Sequence, residues 1–389
     1  MNLKCKTLIF GLFLTLLIIS ACSGSSETDA DNVLPEEYYT DMFDWNSHKG
    51  LSDTKLGRGI NLGNYLEAPR DSSDDGEGAW TDGRKLERED IIRIADAGFA
   101  HIRIPCRWTD YMSKTDPYDL IEINGYSRLE RVKEIIGWAH EANLKVVINT
   151  HHYNEMFYSE GSLTLEEHKE RLNALWNRLS KEFKLADYPS ENLIFELLNE
   201  PHENIGYDDW NEMIANLTKI IWQDNASYQT NGDVKRIIMI GTANWGGVPG
   251  LYKLNLPDAI NAENTIITVH YYEPFHFTHQ GAEWNEGASD WIGTRWLGSE
   301  SERKPLIDLF EDIEKWNTKG FEIYVGEFGV YSKYADKTDQ KAWTAFICRE
   351  SERRNYSWAY WEYASGFGAY DPLNSTWRSW LKDALVPKD

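Results

Sequence analysis

Short apolar runs alternate with segments of helical periodicity from residue 55 onward, and this alternation constrains the fold more than any other feature of the chain. Runs of four or five residues rich in isoleucine and valine are typical of parallel strands covered on both faces. Strands are predicted at 59–62, 101–104, 145–149, 193–197, 236–240, 265–269, 322–325 and 356–360. Helices are predicted at 88–97, 129–142, 165–183, 209–223, 304–318, 340–354 and 376–384. The pattern predicts an α/β fold of the (β/α)8 TIM-barrel type, with an open doubly wound sheet as the alternative.

The chain of 389 residues keeps one composition from residue 55 to its end. No linker rich in proline, glycine or serine interrupts this region, and no internal repeat is evident. A (β/α)8 barrel occupies about 250 residues or more as one domain. We therefore predict a single barrel domain at 55–389.

The N-terminus has the character of an export signal. Lys4 and Lys6 precede a mostly apolar run at 7–19, which is too short to span a bilayer comfortably. The run ends in Ile-Ser-Ala-Cys at 19–22, which resembles a bacterial lipobox. The resemblance implies a signal peptide at 1–21, a lipid on Cys22, and a tether and N-terminal extension at 22–54. We expect export to the bacterial cell envelope, at the outer membrane or cell surface; an ordinary signal peptide is the alternative.

The charge balance limits the partners of the chain. Acidic residues number 63 and basic residues 40, so the formal net charge is −23. A nucleic-acid-binding protein should present a basic surface, so no nucleic-acid partner is expected. A neutral substrate fits this charge. Of the four cysteines, Cys106 and Cys348 lie in the predicted barrel domain, where we expect both to be small buried residues rather than metal ligands.

Polar and aromatic residues follow the predicted strands directly, and the carboxyl ends of barrel strands meet at one rim, where active sites are built. These residues are Asn64 and Glu67 after the first strand, Arg103 on the second, His151 and His152 after the third, Asn199 and Glu200 after the fourth, His270 and Tyr272 after the sixth, Glu327 after the seventh and Trp361 after the eighth. Their convergence on one rim predicts a functional site.

Glu200 and Glu327 follow strands that lie across the barrel from each other. Two facing carboxyl groups are what glycoside hydrolysis requires, because one must be a proton donor with a raised pKa and the other must act as an ionised nucleophile. Arg103 could pair with Glu327 and keep it ionised, and Tyr272 could donate a hydrogen bond to the same carboxylate. Adjacent strand residues point to opposite faces, so we expect His151 and His152 not to share a metal ion. No metal and no cofactor are predicted.

The motifs Leu-Asn-Glu-Pro at 198–201, His-Tyr-Tyr at 270–272, Gly-Glu-Phe-Gly at 326–329 and Trp-Ala-Tyr-Trp-Glu at 358–362 resemble glycoside hydrolase family 5, especially its endo-β-1,4-glucanases. The segments 57–64 and 274–282 extend the resemblance, which covers the chain from about residue 55. It implies a retaining mechanism with Glu200 as acid/base and Glu327 as nucleophile. It also implies that Arg103, His151, His152, Asn199, His270, Tyr272 and Trp361 surround the reacting sugar, and that Asn64 and Glu67 serve the next one.

Several alternatives stay open at this level. The expected substrate is a neutral polysaccharide or oligosaccharide, β-glucan first, with glucomannan or mannan and exo-acting cleavage as alternatives. A non-catalytic glycan-binding lipoprotein is a further alternative, although such a protein would usually have lost one of the two carboxyl groups. The sequence disfavours a metal-dependent barrel hydrolase, and we expect a monomer. The segment 69–80 is longer and more acidic than the family pattern, and the role of its acidic part, 71–77, is open.

Overall fold

Eight parallel strands close into a barrel, which confirms the predicted fold and excludes the open sheet. The strands are β1 (Arg58–Asn61), β2 (His101–Ile104), β3 (Lys145–Asn149), β4 (Leu193–Glu196), β5 (Ile238–Ile240), β6 (Thr265–His270), β7 (Glu322–Glu327) and β8 (Ser357–Tyr360). β1 pairs with β2 on one side and with β8 on the other, and this second pairing closes the sheet. The carboxyl ends of all eight strands therefore meet at one mouth.

Helices cover the outside of the barrel. They are α1 (Arg88–Asp96), α2 (Arg128–Glu141), α3 (Leu165–Glu182), α4 (Tyr207–Lys219), α5 (Glu300–Trp316), α6 (Lys337–Arg353) and α7 (Ser379–Leu385). Shorter helical turns are Thr109–Tyr111, Asn154–Phe157, Ile220–Asp224, Ala226–Gln229, Val248–Lys253, Phe275–Thr278 and Ala288–Trp291, and two small hairpins pair Thr230–Asn231 with Val234–Lys235 and Tyr370–Asp371 with Thr376–Trp377. Apolar side chains at helical spacing pack against the sheet, as Val132, Ile135 and Ile136 do on α2.

The structure, a computed structural model, describes residue 51 and residues 53–70 and 75–387. The predicted signal peptide, Cys22 and the tether up to residue 50 lie outside the described residues. Within the described part of the chain, no helix is both long and apolar enough to cross a membrane. Cys106 and Cys348 are buried free thiols, as predicted.

Strand β5 begins two residues later than the predicted 236–240. The backbone N–H of Ile237 donates to the Ser190 hydroxyl at 2.6 Å instead of joining a strand ladder. The buried Arg236 guanidinium donates to backbone carbonyls, among them those of Leu193 and Tyr188, each at 2.7 Å. These contacts join distant parts of the chain, which is why the local apolar pattern misplaces the start of the strand.

Several helix boundaries also differ from the prediction, and the starts of α5 and α7 have a clear local cause. α5 begins at Glu300 rather than 304, because Ser299 and Glu302 form a capping box that starts the helix one turn earlier. α7 begins at Ser379 rather than 376, because Thr376 and Trp377 pair with Tyr370–Asp371 in a hairpin. Both corrections concern the outer shell and leave the barrel mouth unchanged.

The barrel interior is filled in layers below the mouth. On β2 the inward positions are 101 and 103, since side chains alternate along a strand. The buried His101 ring contacts the carbonyl of Leu56 at 3.1 Å and the hydroxyl of Tyr324 at 3.0 Å. Burial lowers the pKa of His101 to about 3, so this ring is neutral. Gly59 lies beside it, and a Cβ atom at Gly59 would stand 2.1 Å from Nε2 of His101.

We expect Gly59→Ala to lower the free energy of unfolding by about 1–3 kcal/mol, because the added methyl group must push His101 out of its contacts. Urea or thermal unfolding measures the change. The matched control is Gly137→Ala on the exposed face of α2, where a Cβ atom meets nothing within 4 Å. This control should gain about 0.5–1 kcal/mol from helix propensity. The packing argument fails if both variants shift stability in the same direction.

Candidate active site

A buried arginine organises the mouth of the barrel. The guanidinium of Arg103 donates to both carboxylate oxygens of Glu196, at 2.6 and 2.7 Å. It also donates to Glu327 Oε1 at 2.7 Å, to Asn199 Oδ1 at 2.7 Å and to Asn61 Oδ1 at 2.9 Å. Arg103 is fully buried, so this cation depends on the two carboxylates for its stability. The predicted pairing of Arg103 with Glu327 is present.

Glu200 and Glu327 approach each other at this mouth. An oxygen of Glu200, a nitrogen of His270 and an oxygen of Glu327 all lie within 4.8 Å of one another. Nδ1 of His270 lies 2.6 Å from Glu200 Oε1 and 3.8 Å from Glu327 Oε2. The Tyr272 hydroxyl donates to Glu327 Oε2 at 3.1 Å, as predicted. Glu327 thus contacts Arg103 and Tyr272, whereas Glu200 contacts His270.

The electrostatics of the substrate-free site follow from these contacts. Burial raises the pKa of Glu327 above its ordinary value, while the charges of His270 and Arg103 hold it back. Burial also acts to raise the pKa of Glu200, but the hydrogen bond and charge of His270 outweigh it, so the pKa of Glu200 is lowered. Burial acts to lower the pKa of His270, but the two carboxylates prevail and raise it. In the free site the pKa shifts of the two carboxyl groups are therefore the reverse of those expected for a proton donor at Glu200 and an ionised nucleophile at Glu327.

The two adjacent histidines do not point to opposite faces, contrary to the prediction. His152 lies beyond the end of β3 and has φ +50°, so the strand alternation does not extend to it. The two rings meet edge to face, with centroids 4.4 Å apart. His151 stacks against Trp361 at 5.7 Å, and its Nδ1 contacts the Asn149 amide at 3.0 Å. His151, His152 and Trp361 thus form one connected wall of the mouth.

Asn64 and Glu67 lie together after β1. The backbone N–H of Asn64 donates to Glu67 Oε1, and Asn64 is half-buried. Glu67 itself is fully buried, and this burial raises its pKa to about 8. Asn64 is therefore the more accessible of the two in the free site, with Glu67 beneath it.

Glu196 was not singled out from the sequence, and the role of Gly326 within its motif was not predicted. Glu196 accepts hydrogen bonds from Arg103. The sequence does indicate this residue, because a carboxyl group inside an otherwise apolar strand must be paired when it is buried. Gly326 precedes Glu327, and a Cβ atom there would stand 2.5 Å from Thr268 Oγ1 and 3.1 Å from His270 Nε2. Glycine at 326 therefore allows β6 and β7 to bring His270 beside Glu327.

The spacing of Glu200, His270 and Glu327 could in principle accept a metal ion. The surrounding contacts favour another use of these groups. Arg103 already supplies positive charge beside Glu327, and Nδ1 of His270 is engaged with Glu200. The donor set therefore fits proton transfer better than metal coordination.

The acidic segment after β1 is partly structural. Glu77 is buried and accepts hydrogen bonds from the Arg131 guanidinium on α2 at 2.8 and 2.9 Å. Asp75 pairs with Lys85. These contacts hold the described end of the segment against the barrel; residues 71–74 lie outside the described part of the chain.

Aromatic side chains line the mouth as well. Trp108 and Trp296 are buried in the core. Trp80, Trp245 and Trp284 are exposed.

A closed (β/α)8 barrel with two neighbouring carboxyl groups at its mouth is an arrangement used by glycoside hydrolases. The family model "Cellulase (glycosyl hydrolase family 5)" matches residues 70–366 of the chain. The chain therefore belongs to glycoside hydrolase family 5.

Comparisons with individual proteins support this family assignment. Endoglucanase H of Acetivibrio thermocellus is 30% identical over 318 residues, which are 82% of this chain and 30% of that protein. The chain thus spans about a third of the length of that relative. The crystal structure of endoglucanase Cel5A from Thermotoga maritima matches with a TM-score of 0.74 and 45% identity, over 85% of this chain and 97% of that one. Its complexes with mannotriose and cellobiose match with the same TM-score at 43% and 44% identity, over 88% of this chain and 99% of theirs.

Proposed function

We propose that the protein is a retaining endo-β-1,4-glycanase that hydrolyses β-glucan. The observation that carries the proposal is the approach of the Glu200 and Glu327 carboxyl groups, with oxygens within 4.8 Å of each other at the barrel mouth. Retaining enzymes hold their carboxyl groups about 5–5.5 Å apart, whereas inverting enzymes need roughly 6.5–9.5 Å to admit a water molecule. The observed separation supports double displacement.

In the first step Glu327 Oε attacks the anomeric carbon, and the bond to the leaving glycosidic oxygen breaks as that oxygen takes a proton from Glu200. A covalent glycosyl ester on Glu327 results. In the second step Glu200 removes a proton from water, whose oxygen attacks the anomeric carbon and releases Glu327. Arg103 and Tyr272 favour the ionised form of Glu327 that the first step requires.

The proton for the first step is held by Glu200 and His270 together. Their 2.6 Å hydrogen bond makes them a coupled pair, so one proton belongs to the pair rather than to either residue. Transfer of that proton from Nδ1 of His270 to Oε1 of Glu200 leaves a neutral imidazole and a protonated carboxyl group. The lowered pKa of Glu200 in the free site is thus compatible with its role as acid.

The other rim residues serve the sugar in this proposal. Trp361 offers a ring face to the reacting sugar, with His151 and His152 along the same wall. Asn199 is oriented by its contact with Arg103, so that its amide nitrogen can donate to a sugar hydroxyl. Asn64 contacts the next sugar, and Glu67 fixes Asn64 from beneath.

Mannan or glucomannan is the second candidate substrate, and the mannotriose complex of the similar Cel5A favours it.

We also propose export and lipid attachment through Cys22, on the strength of the charged and apolar pattern at 4–19 and the sequence Ile-Ser-Ala-Cys. The high acidic charge supports a neutral polysaccharide as the substrate. We propose that the protein acts on it as a monomer.

Substitution of the two carboxyl groups tests their roles. Glu327→Ala should lose activity on every substrate, because no nucleophile remains. Glu200→Ala should lose about 10²- to 10⁴-fold on polysaccharide but much less on aryl glycosides with good leaving groups, which need little protonation. Steady-state kinetics across a series of leaving groups measures the difference. Glu203→Ala, an exposed neighbour, is the control; equal losses for both test variants across the series would contradict the assignment.

The acid side of the pH profile tests the environment of Glu327. Tyr272→Phe removes a donor that stabilises the ionised carboxylate, so the pKa of Glu327 should rise. Because activity needs ionised Glu327, the acid limb of kcat/KM should move to higher pH by roughly half a unit to one unit. Tyr158→Phe is the control, since that hydroxyl contacts His202 rather than Glu327. An unmoved or downward-shifted limb in Tyr272→Phe would refute this account of Glu327.

Product analysis on a panel of polysaccharides tests substrate and mode of action. The panel is carboxymethylcellulose, mixed-linkage glucan, xyloglucan, glucomannan and mannan. We expect the viscosity of the glucans to fall well before reducing ends accumulate, which indicates internal cleavage. Release of only short products from chain ends would indicate exo action, and activity confined to mannan would replace the glucan assignment.

A further inference from the structure

The guanidinium of Arg103 has five N–H donors in a rigid planar fork, and the barrel mouth supplies an acceptor for each. Nε and Nη2 donate to Oε2 and Oε1 of Glu196. Nη2 also donates to Asn199 Oδ1. Nη1 donates to Asn61 Oδ1 and to Glu327 Oε1. Because five donors meet five acceptor contacts, the guanidinium is held in one orientation.

Glu196 contributes two of these five contacts. It is the last residue of β4, and its buried carboxylate accepts both hydrogen bonds side by side, at 2.6 and 2.7 Å. Two parallel hydrogen bonds between a guanidinium and a carboxylate fix the plane of the guanidinium as well as its position. Asn61 and Asn199 each accept only one hydrogen bond from Arg103, which does not fix a plane. Glu196 therefore sets the directions in which the other N–H groups of Arg103 point.

Those other N–H groups reach both sides of the reaction. One meets Glu327 Oε1, on the proposed nucleophile, at 2.7 Å. Another meets Asn199, which directly precedes the proposed acid/base Glu200 in the chain, also at 2.7 Å. A change at Glu196 is thus transmitted through Arg103 to two groups that must be placed accurately for the reaction.

Glu196 also divides the charge of the guanidinium. Burial raises the pKa of Glu327, and the charge of Arg103 opposes this rise. Because Arg103 pairs with two carboxylates, it stabilises the ionised form of Glu327 less than an unshared cation would. A carboxylate that is stabilised less is more basic, and a more basic carboxylate is a stronger nucleophile.

Other titratable groups also face Glu327. They are Arg103 on β2, Glu196 on β4, Glu200 beyond β4, His270 on β6, Tyr272 beyond β6, Tyr324 on β7 and Glu67 after β1. Glu196 binds Arg103 with both of its oxygens, so its charge acts on Glu327 through the cation that they share.

We propose that Glu196 is a positioning residue for the hydrolytic reaction, which orients the Arg103 guanidinium toward Glu327 and Asn199 and offsets part of its charge. The inference rests on the proposed function, because it assigns Glu327 as the nucleophile. Glu196 then affects the reaction in two separable ways, by the place of its carboxylate and by its charge.

The pH dependence of kcat/KM on an aryl β-cellobioside with a good leaving group tests the role of the charge. This substrate needs little protonation by Glu200, so its acid limb follows the ionisation of Glu327. Glu196→Gln leaves the charge of Arg103 to Glu327 alone. The pKa of Glu327 should therefore fall, and the acid limb should move to lower pH by about one unit. The kcat at the optimum should fall about 10- to 100-fold, because the fork is no longer held on both sides.

Glu77→Gln is the matched control. Glu77 is a buried carboxylate that accepts from Nε and Nη2 of Arg131, at 2.9 and 2.8 Å, in the same side-by-side arrangement. This control should lose stability in urea as a buried ion pair does, but its acid limb should stay in place. An equal shift of the limb in Glu77→Gln would overturn the role of Glu196.

Glu196→Asp tests the role of position. It keeps the charge but is one methylene shorter, so it cannot hold the guanidinium in the same place. Its acid limb should stay within about 0.3 unit of that of the parent protein, while kcat falls about tenfold. Urea unfolding confirms that each variant is folded, and Glu196→Asp decides the question by itself if Glu196→Gln does not fold.

The outcomes separate this inference from the proposed function. An unmoved or upward-shifted limb in Glu196→Gln would overturn the inference, because a merely structural loss loosens Arg103 from Glu327 and raises the pKa of that carboxyl group. Full kcat in Glu196→Asp would overturn it as well. Absence of cellobioside hydrolysis by the parent protein would instead overturn the proposed function.

Discussion

The buried Arg103 guanidinium is the interaction on which the site depends. A cation enclosed in a barrel is costly unless its partners are carboxylates in good hydrogen-bond geometry, and Glu196 and Glu327 provide them. These contacts join β2, β4 and β7. A slip of one residue in β2 would turn Arg103 outward and leave both carboxylates buried without their cation. The register of the barrel and the charge state of the reacting groups are therefore fixed by the same contacts.

The side chains around Arg103 in the barrel support this arrangement. His101 is two residues earlier on β2 and is neutral, so it fills the barrel floor without adding charge below Arg103. Above them, Glu327 ends β7 and His270 ends β6, and glycine at 326 lets these strands approach. The position of His270 beside Glu327 is therefore set by strand pairing, and Glu200, which lies beyond the end of β4, is held by its 2.6 Å contact with His270.

The sequence predicted what local patterns encode. Alternating apolar runs predicted the closed barrel, and polar residues at strand ends predicted that Arg103 and Tyr272 would meet Glu327. It did not predict where β5 begins, because Arg236 is bound by carbonyl groups far along the chain. It also did not reveal the lowered pKa of Glu200, which arises from a 2.6 Å contact with a residue 70 positions away. Long-range contacts account for each of these differences.

The loops beyond the strands form a wall of linked segments. The N–H of Tyr331 after β7 donates to the Thr278 carbonyl after β6 at 2.8 Å. The N–H of Ser332 donates to the Gly366 carbonyl after β8 at 2.9 Å. Because these hydrogen bonds tie three loops together, a sugar that contacts one loop meets a surface whose shape depends on all three. In the proposed reaction Glu327 is held on a strand and Glu200 just beyond one, while selection among polymers belongs to the loops, which can vary without disturbing the contacts of Arg103 with Glu196 and Glu327.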